Sequence, residues 1–186
     1  GVDEVIVLGA APATRTYPSD APAPVGRFAP APAHAPQEGS LPASLAVGRA
    51  TLAGHSVPLV LQGVDHGAPP RRTGELGRQI NARPGRTGLI VAADGSARRG
   101  EKAPGYVDPR ALETDILIGK ALALADRPAL LALDPADCDG LLIAGRAAWQ
   151  VMASACEGTS WTGGVLYEGD PFGVAYWVTT WVPAEE

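Results

Sequence analysis

The chain is poor in the side chains that build metal centres and covalent frameworks. Its 186 residues include three histidines, His34, His55 and His66, and two cysteines, Cys138 and Cys156. No two histidines stand four apart, and neither cysteine joins them at ligand spacing, so the residues alone mark no metal site. Two cysteines make no disulfide framework, and reduced, buried thiols are expected. No uninterrupted apolar run approaches the ~20 residues of a membrane span. A formal net charge of -5 argues against nucleic acid or an anionic membrane as the main partner. The start, GVDEVIVLGA, has no basic region of the secretory kind, so a soluble cytoplasmic protein is expected.

What is present is an alternation of short apolar runs and helical stretches. Glu4 to Gly9 reads as a first strand and Val57 to Gln62 as a second. Between them, residues 10–39 form a proline-rich loop, with Pro12, Pro18, Pro22, Pro24, Pro30, Pro32 and Pro36, which excludes a helix or a central strand. Thr14-Arg15-Thr16-Tyr17 is its most site-like portion. Ser40 is expected to cap a helix over Pro42 to Ala53, and a short helix is expected over Thr73 to Ala82. Leu89 to Ala93 reads as the central strand, covered on both faces. Asp108-Pro109 then opens a helix to Ala125, with Leu112, Ile116, Ile118/Gly119 and Leu122 on its inner face. Further helices are expected between Asp134 and Gly145 and over Ala147 to Cys156. The end, VLYEGDPFGVAYWVTTWV, reads as a well-covered hairpin. This pattern predicts one α/β domain: a mixed, mostly parallel sheet flanked by helices, with a C-terminal β-hairpin.

Ligands of open α/β sheets bind outside the carboxyl ends of the strands, which points to the loop after Ala93. There Asp94, Ser96, Arg98, Arg99, Glu101, Lys102 and Tyr106 crowd together, and Arg15, beyond the first strand, can enter the same edge. A phosphate loop is excluded: Glu101 follows Gly100 where lysine is required, and Pro104 blocks a helix start. Ser96 lacks the flanking glycines of a nucleophile elbow. The remaining readings are an anion site, with arginine forks for a carboxylate or phosphate, and a structural loop neutralised by Asp94, Glu101 and Asp108. The residues leave both open.

The strings VIVLGAAPATRTYP, LPASLAVGR, ADGSARRGEKAPGYVDPRA, LLALDPADCDGLLIAGRAAWQV and LYEGDPFGVAYWV resemble uncharacterised bacterial proteins of the class III extradiol dioxygenase, subunit-B-like family. The likeness spans nearly the whole chain. It implies a mixed α/β fold in which active relatives hold one Fe(II) with two histidines and a glutamate and open catechol-type rings with O₂. It also implies an upstream strand and helix, the strand bearing the first histidine, so a missing N-terminal segment is expected. The ligands do not carry over. Gly9-Ala10-Ala11 stand where relatives have a histidine after the first strand. In the serine–glycine–aspartate loop of the relatives, Asp94 and Ser96 match, but Ala97 replaces the histidine. Ahead of Trp149 the chain has Arg146, Ala147 and Ala148 and no glutamate. Methyl groups cannot replace two imidazoles and a carboxylate.

The expectation is a metal-free protein on this scaffold that binds a small anion or regulates, with no cofactor and no assigned catalytic residue. The alternative is an enzyme with a rebuilt site for a small anionic or aromatic substrate. A true Fe(II) dioxygenase using His66 and an upstream histidine comes last.

Overall fold

The structure, a computed structural model, describes residues 1–23 and 39–184. Its elements run β1 (Glu4–Ala11), β2 (Arg15–Tyr17), α1 (Ala43–Ala50), β3 (Leu59–Asp65), α2 (Pro70–Asn81), β4 (Thr87–Ala92), α3 (Arg110–Ala123), α4 (Arg127–Leu131), α5 (Pro135–Gly140), α6 (Arg146–Ala155), β5 (Trp161–Gly169) and β6 (Tyr176–Pro183). A four-stranded sheet has the order β2-β3-β1-β4, and β5-β6 form a separate antiparallel hairpin. β1 pairs in parallel with both β3 and β4, while β2 adds antiparallel to the outer side of β3. The expected mixed α/β architecture with a terminal hairpin is what the chain adopts.

Strand periodicity explains the layers. Alternate side chains of a strand point to opposite faces. Val7 and Leu61 pack on Leu45 and Ala46 of α1, whereas Ile6, Leu8 and Val64 pack on Ile80 of α2 and Ala147 and Val151 of α6. A third cluster joins Ile118 and Leu122 of α3 to Leu130, Cys138, Leu141 and Trp149, with Trp177 and Trp181 of the hairpin against it. No helix among the described residues is long and apolar enough to cross a membrane.

Several sequence expectations need correction. The covered central strand is β1, whose Val5 to Leu8 are at most 7% exposed; β4 lies at the sheet edge and is half-buried along its length. The first helix spans Ala43–Ala50, follows Pro42 and has no side-chain cap. The helix after the second strand begins at Pro70, three residues earlier than expected, because proline suits the first helical turn. α3 buries Ala111, Asp115, Ile118, Gly119 and Leu122 and turns Leu112 and Ile116 outward, so its inner face is rotated from the one expected. The hairpin is covered on one face only. Trp177 and Trp181 point inward, while Val178 and Val182 are more than half exposed. Within the proline-rich loop Arg15–Tyr17 is an edge strand; residues 24–38, including His34, lie outside the described residues.

Candidate functional site

The loop after β4 folds into a structural knot. Gly95 N–H donates to Ala175 O at 2.9 Å, and Ala175 N–H donates to Ser96 O at 3.0 Å, which stitches the loop to the approach of β6. Ser96 is fully buried; its N–H donates to Asp115 Oδ1 at 2.9 Å and its hydroxyl to Asp115 Oδ2. Arg99 Nε lies 3.6 Å from Asp115 and 3.7 Å from Asp170, so this guanidinium closes onto carboxylates of α3 and the hairpin turn. Burial raises the pKa of Asp115, against the lowering effect of Ser96 and Arg99.

The other loop residues do not converge. Arg98 is half-buried and its Nε has no hydrogen-bond partner. Glu101 and Lys102 are exposed, and neither is in an ion pair among the described residues. Tyr106 is 89% exposed. Asp108 pairs with Arg110, which holds its carboxyl down at about 2, and accepts the Arg110 backbone N–H at 3.0 Å just ahead of α3. Asp94, at the end of β4, has a carboxyl whose pKa burial raises. Arg15 stacks 4.4 Å over Tyr17 on β2. That strand lies three strand spacings from β4, roughly 14 Å, so Arg15 does not complete a fork with Arg98 or Arg99.

A cleft lies elsewhere on the carboxyl edge, between the end of β3, α5 and the start of α6. It has a volume of about 570 Å³ and is lined by His66, Gly67, Pro135, Ala136, Cys138, Asp139, Leu142, Ile143, Ala144 and Arg146. Asp65 Oδ1 accepts the Gly67 N–H at 2.9 Å and shapes its β3 rim. Asp134 accepts the N–H groups of Ala136 and Asp137 and fixes α5 opposite. Gly145 is obligatory: a Cβ there would stand 2.7 Å from Asp94 O, and its own N–H donates to that oxygen at 3.1 Å. Leu142, on the cleft wall, has a φ of 56°, a left-handed conformation unusual for leucine.

At the floor, Arg146 is 2% exposed. Its Nη1 donates to Gln150 Oε1 at 2.9 Å and its Nη2 to the His66 carbonyl at 2.7 Å. Gln150, itself fully buried, is held by donating to Leu133 O at 3.0 Å and Leu131 O at 3.3 Å. Among the described residues no carboxylate reaches Arg146 within ion-pair distance. Burial lowers its pKa, while the more distant fields of Asp134, Asp65 and Asp139 act in the opposite sense. Cys138, on the same wall, has its thiol pushed up to about 11 by burial and is no nucleophile at neutral pH.

Sequence reasoning missed Arg146 as a site residue. The available signal is Arg146 and Gln150 four apart, on one face of the otherwise apolar helix RAAWQVMASA.

The iron centre implied by the resemblance does not fit these residues. His66 lines the cleft on this edge, and its backbone carbonyl accepts from the buried Arg146 guanidinium. Gly9 admits no ligand, since a Cβ there would stand 2.4 Å from Ser44 Oγ. Among the described residues no group of three His, Cys, Asp or Glu side chains is placed to form the facial set that iron takes.

No family model and no curated protein matches the chain. Among solved structures it is similar to the crystal structure of the uncharacterized protein JW3007 from Escherichia coli K12, with 16% identity and a TM-score of 0.57. The match covers 97% of this chain and 86% of that one, a likeness of fold alone.

Proposed function

We propose that the protein binds a small, apolar monocarboxylate in the Arg146 cleft, on a scaffold of the class III extradiol type without that family's iron ligands. One observation carries this reading: a buried guanidinium that faces neutral oxygens and, among the described residues, no carboxylate. An isolated buried charge is costly, and a carboxylate ligand supplies the missing counter-ion in the bidentate geometry arginine favours. The walls set the rest of the ligand. Pro135, Ala136, Leu142 and Ile143 offer apolar contact, and the volume suits a small molecule. The more distant fields of Asp65, Asp134 and Asp139 favour the charged guanidinium and oppose a ligand that carries more than one negative charge.

Thermal denaturation in the presence of benzoate, octanoate, succinate and inorganic phosphate tests this. The monocarboxylates are expected to raise Tm in a concentration-dependent way, and succinate and phosphate to have less effect. The Arg146→Met variant is expected to fold and lose the shift, and Arg146→Lys to keep a weakened one, with affinity lower by about ten- to a hundred-fold. A shift that survives in Arg146→Met, or none with either monocarboxylate in the parent protein, overturns the reading.

A further inference from the structure

The outer face of α3 carries an apolar stripe that the described residues leave uncovered. Leu112, Ile116, Leu117 and Leu124 are 50%, 55%, 66% and 62% exposed. At 100° per residue they fall within a sector of about 140°, opposite the buried residues Ala111, Asp115, Ile118 and Leu122. The hairpin covers the inner side, where Gly119 lies against Trp177 and Gly163 against Ala123. Immediately before the helix, Tyr106 and Val107 are also exposed, at 89% and 52%. Soluble monomers rarely leave so continuous a patch open.

The charges within this stripe identify its occupant. Glu113 and Lys120 are exposed, lie in the middle of the sector, and form no ion pair among the described residues. They are equidistant in sequence from the midpoint between Ile116 and Leu117. A two-fold axis through that midpoint sets α3 antiparallel to a copy of itself. Each Ile116 then lies beside Ile116 of the other copy and each Leu117 beside Leu117, while each Glu113 faces Lys120. An isologous interface demands this self-complementarity. A lipid surface is disfavoured by Glu113 at the centre of the stripe.

We infer that α3 is the interface of a symmetric homodimer, formed by antiparallel pairing of its Leu112–Leu124 face. Fourteen residues make a helix of about 21 Å, so the contact lies at the small end of stable interfaces and a dissociation constant in the micromolar range is expected.

Sedimentation equilibrium of the full chain over about 1–200 μM tests this, with circular dichroism to confirm that each variant is folded. The parent protein is expected to pass from monomer to dimer across that range. Glu113→Lys and Lys120→Glu each place like charges opposite each other and are expected to weaken dimerisation tenfold or more. The double variant Glu113→Lys/Lys120→Glu is expected to restore the parent affinity within a few-fold. Leu117→Asp is expected to be monomeric throughout. A parent protein monomeric at 200 μM, a dimer indifferent to Leu117→Asp, or a double variant no tighter than the single ones overturns the inference.

Discussion

Ser96 and Asp115 are joined twice inside the core, backbone N–H to one carboxylate oxygen and hydroxyl to the other. This pair ties the loop after β4 to α3, and Arg99 closes over it from the solvent side. Replacing Asp115 with alanine leaves two buried donors without acceptors. The variant is expected to lose about 2–4 kcal/mol of stability in urea denaturation. Asp115→Asn keeps one acceptor and should lose less. Equal losses in the two variants would show that shape and a single acceptor do not suffice, and that the loop needs both carboxylate oxygens.

The same carboxylate has a pH signature. Its pKa is raised in the folded state, chiefly by burial, so the native protein holds this proton more tightly than the unfolded chain. Stability is therefore expected to fall as pH rises from the ordinary carboxylate value near 4 through the raised one, and to be flat with respect to this group above it. Comparison of Asp115→Asn with the parent across pH 4–7 isolates the slope, which the variant should lack.

Asp108 has the opposite sign. Arg110 lowers its pKa to about 2, so its stabilising effect is complete above the unfolded value near 4 and is lost as pH falls towards 2. Asp108→Asn is expected to flatten the acid limb of the stability profile between those values. An unchanged limb would remove Asp108 from the account of the α3 N-terminus.

α2 and α6 approach so closely that Gly77 has no room for a methyl group. A Cβ there would stand 2.4 Å from Ser154 Cβ and 2.5 Å from Val151 O. The Gly77→Ala variant gains helix propensity but must separate the helices, and a net loss of about 1–3 kcal/mol is expected by chemical denaturation. A stabilised variant would mean the two helices can slide apart without cost.

Trp177 anchors the hairpin, meeting Trp149 edge to face at 6.2 Å between ring centres and resting on Gly95 and Gly119. Trp177→Ala is expected to lower stability by about 3 kcal/mol and to speed amide exchange in β5 and β6 more than in β1. Uniform acceleration in both regions would mean that the hairpin opens only with the whole domain.

The layered architecture was legible in local sequence. Apolar runs such as Val5 to Leu8 have strand periodicity, Asp108-Pro109 is helix-start chemistry, and Gly-Asp-Pro between two apolar stretches turns a hairpin. These signals arise from backbone preferences and burial periodicity acting over a few residues. Which strand becomes central, and which face of α3 turns inward, depends on partners far along the chain. β1 outranks β4 because β3 and β4 pair on either side of it, and α3 is oriented by its Gly119 meeting Trp177 and by Gly163 of the hairpin meeting Ala123. The candidate site divides the same way. The crowded charges from Asp94 to Tyr106 were visible, but a charge in sequence does not reveal its partner, and Arg99 is closed by Asp115 sixteen residues away. Arg146 was one polar residue in an apolar helix. Gln150 was already within reach on the same helix face; only the tertiary fold brought the His66 carbonyl to its guanidinium and, among the described residues, no carboxylate within ion-pair distance.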